Sequence, residues 1–101
     1  MDKPVKKLLF GDLYNIEEYE EFFAEMSRQG LHLQKLGTFF AYFKEDKPRH
    51  LNYRIDIVKK DDKDIKDERI KKHKNNGWNF ICENDIFLIF SSPVESGLKE
   101  L

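Results

Sequence analysis

The sequence repeats itself at a spacing of 47 residues. At this offset Gly30-Leu31-His32-Leu33 aligns with Gly77-Trp78-Asn79-Phe80, and residues 39–43 align with residues 86–90. Each copy has the pattern of a strand, a charged helix ending at glycine, and two further strands. A repeated supersecondary unit constrains the architecture strongly, because each unit needs the other to bury its apolar face.

We therefore expect one domain over residues 1–101, since a chain of 101 residues is large enough for one hydrophobic core and short of two. Repeat one is expected over about residues 5–44, repeat two over about 50–91, and a flexible tail over 92–101. The predicted fold class is α+β: tandem strand-helix-strand-strand repeats that form an antiparallel sheet with two helices on one face.

The two expected helices differ in the apolar surface that they offer. The first follows Asn15, a residue type favoured at the N-cap, and glutamates fill its first turns. Its apolar stripe, at spacings of three and four, consists of Tyr19, Phe22, Phe23 and Met26. The second helix, over about residues 62–76, has only Ile65, Ile70 and the ring of His73. We expect the second helix to be more exposed and less firmly held.

The strands carry more apolar residues than one buried face requires. One alternating set is expected to face the helices: Phe39, Ala41, Phe43, Ile86, Leu88 and Phe90. The other set points away and consists of Phe40, Tyr42, Phe87 and Ile89. Because so large an apolar face is unfavourable in water, we expect a strongly bent sheet, a homodimer, or a bound ligand or partner to cover it.

Arg54 and Asp56 lie on one face of the clearest strand, two residues apart and close enough to pair. A guanidinium beside aromatic rings can stack on a planar ligand or hold a carboxylate. An ordinary surface ion pair would explain the same two residues. The predicted ligand or partner site consists of Phe40, Tyr42, Arg54, Asp56 and Phe87.

The sequence gives no support for catalysis. His32, His50 and His73 have no partners at metal-ligand spacing, so neither a metal nor a cofactor is expected. Cys82 is the single cysteine, and its place in an alternating apolar strand indicates a small buried side chain rather than a nucleophile. We expect no catalytic residues and a non-enzymatic protein.

The net charge and the hydropathy of the sequence limit the classes of binding partner and the cellular compartments that we expect. The formal net charge of −1 argues against nucleic acid. The N-terminus lacks the apolar run of a signal peptide, and no stretch approaches the roughly 20 apolar residues of a membrane span. We expect a cytoplasmic protein, or the cytoplasmic domain of a longer membrane protein.

Three segments together resemble a known family. The segments Asn52-Tyr53-Arg54-Ile55-Asp56, Gly30-Leu31-His32-Leu33 and Asn76-Gly77-Trp78 resemble the hallmarks of the uncharacterised bacterial family called domain of unknown function 2812, over about residues 7–92. Members often occur beside PadR-type transcriptional regulators, and many continue into membrane-spanning segments. The resemblance implies a transcriptional regulator or a membrane protein as partner, but no activity.

The tandem units are also similar, at the level of fold, to the effector-binding domains of the gyrase-inhibitor-like family, which attach to transcription factors and hold drug-like molecules between their repeats. This likeness implies a sensory or regulatory binding module. Its ligand would be a small amphipathic molecule or a protein partner, held on the aromatic sheet face or in the groove between repeats. The alternative is a protein-interaction or self-association domain with no small ligand.

Overall fold

The computed structural model describes residues 4–9, 15–58 and 63–94. Its helices and strands follow in the order β1 (Val5–Leu8), α1 (Ile16–Arg28), β2 (Leu31–Leu36), β3 (Phe40–Glu45), β4 (Leu51–Ile57), α2 (Lys63–Asn75), β5 (Asn79–Asn84) and β6 (Phe87–Pro93). This order is the predicted strand-helix-strand-strand unit, twice over. The α+β class is confirmed.

The backbone shows the repeat in detail. Both helices are 13 residues long, and α2 begins and ends 47 residues after α1. Gly30 and Gly77 follow the helices with φ angles of 91° and 92°, a conformation that glycine adopts most easily. In both repeats the second strand has a break in its pairing register at the same place, between Leu33 and Lys35 in β2 and between Phe80 and Cys82 in β5.

The strands form two antiparallel sheets of three strands each. Sheet A has the order β1-β3-β2 and sheet B the order β4-β6-β5. The sheets meet where β2 lies beside β5, and there the Asn84 amide donates hydrogen bonds to the carbonyl oxygens of Leu36 at 3.3 Å and Gly37 at 3.0 Å. The breaks in register fall on these two strands, which bends them and interrupts a continuous ladder.

Helix α1 lies between the two sheets, whereas α2 covers only sheet B. The Phe23 ring centroid lies 6.3 Å from that of Phe43 in β3 and 5.8 Å from that of Tyr53 in β4. The His73 ring of α2 lies 4.6 Å from Phe90. Phe90 pairs with Arg54, so it faces the side of sheet B opposite to Tyr53. The helices therefore flank sheet B, and the expected placement of both on one face is corrected.

The apolar residues of β6 explain this arrangement. Phe87 and Ile89 face α1 and are 5% and 0% exposed, while Leu88 and Phe90 face α2 and are both 0% exposed. A strand that is apolar on both sides requires cover on both sides. Phe87, which was predicted to belong to a ligand or partner site, is instead buried in the core against α1.

Some of the predicted boundaries differ from those in the structure or lie outside the residues that it describes. Strand β6 continues to Pro93 and Ser92 is fully buried, so residues 92 and 93 do not belong to the predicted flexible tail. Residues 95–101 lie outside the described part. The predicted start of the second helix at about residue 62 also lies outside it. Asn15 occupies the N-cap of α1, but its side chain makes no cap hydrogen bond. No helix in the described ranges is long and apolar enough to cross a membrane.

Candidate functional site

A groove of about 580 Å³ runs between α1 of repeat one and β4 of repeat two. Its α1 wall consists of Glu17, Glu20, Glu21 and Ala24. The wall from repeat two consists of residues 52–55 and Trp78. Its size lies within the range of small-molecule sites, which proteins commonly form where two structural units meet.

The position of β4 explains why the groove has residues of two kinds. This strand is the edge of sheet B, so the groove is open to side chains from both of its faces. Tyr53 and Ile55 turn toward α1, whereas Arg54 turns to the opposite side. The guanidinium carbon of Arg54 lies 5.9 Å from the centroid of the Trp78 ring, a cation–π arrangement.

Glu20 is the groove carboxylate that bonds directly to β4. One of its oxygens accepts a hydrogen bond of 2.8 Å from the backbone N–H of Ile55. Burial raises the pKa of Glu20, and the Ile55 hydrogen bond and the nearby Arg54 only partly oppose this effect. The groove therefore presents a partly desolvated anion next to two further carboxylates, those of Glu17 and Glu21.

Asp56 does not line this groove. Its Oδ2 atom accepts hydrogen bonds of 2.9 Å each from Arg69 and His73 of α2. Burial opposes ionisation of Asp56, but the hydrogen bonds from His73 and Arg69 outweigh it and lower the pKa of the carboxyl. The expected pairing with Arg54 is thus replaced by pairing with α2, because the helix brings two donors to the face on which Asp56 lies. Asp56 anchors α2.

Phe40 and Tyr42 lie on the side of sheet A that faces away from α1. The Nζ atom of Lys6 lies 4.6 Å from the Phe40 ring centroid, and that of Lys35 lies 5.5 Å from the Tyr42 ring centroid. The five predicted site residues therefore occupy four places. Arg54 lines the groove, Asp56 holds α2, Phe87 is in the core, and the other two lie on sheet A.

Two groove residues were missed as site candidates in the sequence. Glu20 was one glutamate among several in the first turns of a helix, and nothing distinguished it from solvated neighbours. Trp78 was not a candidate either, although it belongs to the Asn76-Gly77-Trp78 segment that carries the family resemblance. That segment was the one signal that could have identified it.

Cys82 and His32 show no sign of an activated nucleophile or base. Burial raises the pKa of Cys82 to about 12, so its thiol is neutral at physiological pH. The His32 ring bonds to Ser27 Oγ at 3.0 Å and to the Lys47 carbonyl at 2.8 Å. Within residues 4–9, 15–58 and 63–94, no group of three or more His, Cys, Asp or Glu side chains is arranged to hold a metal ion.

Comparison with known proteins gives a family but no function. Residues 15–101 match the family model described as "Protein of unknown function (DUF2812)". No curated protein and no solved structure matches the chain. The family match spans both helices and five of the six strands that the structure describes. The chain therefore belongs to the DUF2812 family of proteins of unknown function.

Proposed function

We propose that this chain is a non-enzymatic regulatory binding domain that holds a small, cationic, amphipathic molecule in the groove between α1 and β4. The observation that carries the proposal is the partly buried Glu20 carboxylate on the wall of that groove. A desolvated carboxylate interacts more strongly with a cation than a solvated one does. Tyr53, Ile55 and Trp78 supply apolar surface beside it.

The charged residues that line the groove favour a positively charged ligand. Glu17, Glu20 and Glu21 line the groove on the α1 side, and Arg54 is the one basic residue among the lining residues. Arg54 lies over Trp78, which leaves the carboxylates as the dominant charge at the α1 wall. A ligand with one cationic centre and an apolar body fits both the charged and the apolar part of the groove. An anion would meet repulsion from Glu17 and Glu20, while Glu21 is paired with Arg28 at 3.3 Å.

The position of the groove favours a regulatory role. One wall belongs to repeat one and the other to repeat two, so a ligand contacts both units at once. A ligand that binds across a joint stabilises the arrangement in which the joint is closed. Binding would thereby change how firmly α1 is held against β4, and a partner protein could sense this difference.

Trp78 is the only tryptophan of the chain and lies in the groove, so its fluorescence reports binding directly. We would titrate the protein with tetraphenylphosphonium and, separately, with tetraphenylborate, which has the same shape and the opposite charge. We expect the cation to change Trp78 fluorescence and the anion to have no effect. The Glu20→Gln variant should bind the cation about 10-fold more weakly, because it loses a charge-assisted contact.

Glu18→Gln is the matched control, because Glu18 lies on the same helix but does not line this groove. It should bind the cation as the unmodified chain does. Equal binding of both probes, or an unchanged affinity in Glu20→Gln, would contradict the proposal. The competing function, self-association without a small ligand, predicts a dimer in light scattering over a concentration series and no response to either probe.

A further inference from the structure

The outer face of sheet A is the one large aromatic surface that no described element covers. It is formed by the outward side chains of the three strands: Lys6, Leu8, Lys35, Phe40, Tyr42 and Lys44. Leu8 is 67% exposed, and the rings of Phe40 and Tyr42 are half-buried. Exposed apolar residues that are grouped in this way mark interaction surfaces more often than isolated ones do.

In the second repeat, the equivalent surface is covered by α1 of the same chain. Phe40 and Tyr42 correspond at the 47-residue offset to Phe87 and Ile89, which lie at the same positions in the central strand of sheet B. Phe87 and Ile89 are buried against α1. The fold thus already packs an amphipathic helix on this face of the repeated unit, once, inside the chain.

Charge indicates what kind of helix would fit. The outward positions of β1 and β3 carry Lys6 and Lys44, and Lys35 of β2 adds a third cation. Two of these ammonium groups already lie over aromatic rings. No carboxylate occupies an outward position on these strands in the described residues. The rings provide apolar contact, and the lysines favour carboxylates at its margin.

We infer that the outer face of sheet A docks an acidic amphipathic helix of a partner protein, in the way that sheet B holds α1. The apolar stripe of the partner helix lies on Phe40, Tyr42 and Leu8. Its Asp and Glu side chains reach Lys6 and Lys35 at the two sides of the sheet. This surface is separate from the α1–β4 groove, and its occupant is a helix rather than a small molecule.

The test uses a fluorescent peptide with the sequence of residues 15–30, because this segment is itself an acidic amphipathic helix of the required kind. The whole chain is titrated with this peptide and with a copy in which Glu17, Glu18, Glu21 and Glu25 are replaced by Lys. We expect saturable binding of the acidic peptide, a gain of helical circular dichroism, and weakening as salt rises from about 0.05 to 0.5 M. The charge-reversed peptide should not bind.

Two double variants locate the binding surface. Lys6→Glu with Lys35→Glu should weaken the acidic peptide at least about 10-fold, since two favourable charges become repulsive. Lys71→Glu with Lys74→Glu makes the same change in charge at exposed positions on α2 and should leave the affinity within about twofold. Phe40→Ala should weaken binding without charge reversal. An excess of tetraphenylphosphonium should not displace the peptide, which separates this surface from the groove.

Three results would overturn the inference. Binding that is insensitive to the Lys6 and Lys35 changes would mean that the peptide replaces α1 in the core. A dimer that dissociates in the Lys6→Glu, Lys35→Glu variant would assign the face to a second copy of the chain. Binding to vesicles of phosphatidylglycerol and phosphatidylcholine, with no peptide binding, would assign it to an anionic membrane surface.

Discussion

The two helices of the molecule occupy equivalent positions in the repeat and are held in different ways. Helix α1 buries Tyr19 and Phe23 between two sheets, and both side chains are 0% exposed. In α2 the buried residue is His73, and the polar contacts of the helix include the hydrogen bonds of Arg69 and His73 to Asp56 and those of Lys66 to Glu83 and the Asp85 carbonyl. The helix of the repeated unit therefore contributes large buried side chains to the core in the first copy. In the second copy it is more exposed and makes mostly polar contacts.

This difference teaches that repetition of a fold does not imply repetition of stability. An element that buries apolar surface on two sides is lost only with the whole fold, whereas one held by a few polar contacts can open locally. The Ile70 side chain is half-buried and adds limited apolar contact to α2. We therefore expect α2 to open at a lower free energy than α1.

The largest effect is expected from truncating matched residues in the two helices. Phe23 and Ile70 are 47 residues apart and occupy the same helical position. Phe23→Ala should lower the free energy of unfolding by about 3–5 kcal/mol, because the ring is fully buried. Ile70→Ala should cost about 1 kcal/mol. Urea denaturation followed by circular dichroism measures both, and equal losses would contradict the comparison.

The next effect concerns the anchor of α2. Asp56→Ala leaves Arg69 and His73 without their acceptor and should cost about 1–3 kcal/mol. Hydrogen exchange should become faster in α2 and stay unchanged in α1. Glu83→Ala removes the Lys66 contact of 3.1 Å, in which the Glu83 side chain is 48% exposed, so it should cost less than about 1 kcal/mol. Faster exchange across both helices after Asp56→Ala would show that α2 does not open separately.

A smaller, pH-dependent effect follows from the lowered pKa of Asp56. A carboxyl with a pKa below its unfolded value stabilises the fold while it is ionised, and this contribution is lost as the pH falls through the folded pKa. The unfolded pKa of Asp is about 3.9, so the anchor should persist from pH 7 to about pH 4 and weaken below that. In the unmodified chain, the exchange rate of the α2 amides at pH 3–4 should be faster than the intrinsic pH dependence of amide exchange predicts. In Asp56→Ala the exchange rate should follow that intrinsic dependence.

The smallest effect has the opposite sign. Burial raises the pKa of Glu20, so its ionisation costs stability above the folded pKa. Glu20→Gln keeps an acceptor for the Ile55 N–H and removes the charge, so the variant should be more stable at pH 7 by up to about 1 kcal/mol and equally stable near pH 3. A loss of stability at pH 7 would mean that the charge of Glu20 serves the fold of α1 against β4 rather than a ligand.

The sequence predicted local structure well because the repeat supplied each element twice. The glycines at 30 and 77 and the matching apolar positions located the helices and the second strands of both units. The greater exposure of α2 followed directly from its thin apolar stripe. These features depend on neighbours in the chain, which a sequence displays.

The site depended on contacts between distant segments, which the sequence does not display. Asp56 finds Arg69 and His73 only once α2 has folded back on sheet B. Glu20 meets the Ile55 N–H only because α1 lies against the second repeat. The surplus apolar face was expected to be covered, and within the chain this holds for Phe87 and Ile89. Helix α1 covers one half of this face and leaves the other half, on sheet A, open. The sequence does not show this, because it depends on the relative position of the two repeats.

The hydrogen bond from Ile55 to Glu20 has a further consequence for how molecules of this chain behave together. Strand β4 is the seven-residue edge of sheet B, and an edge of this length can recruit a strand from another molecule. Glu20 occupies the Ile55 N–H and Asp56 occupies that of Ile57, so two donors on this edge are already taken. The same carboxylates that line a groove and anchor a helix therefore also protect the protein against edge-to-edge aggregation.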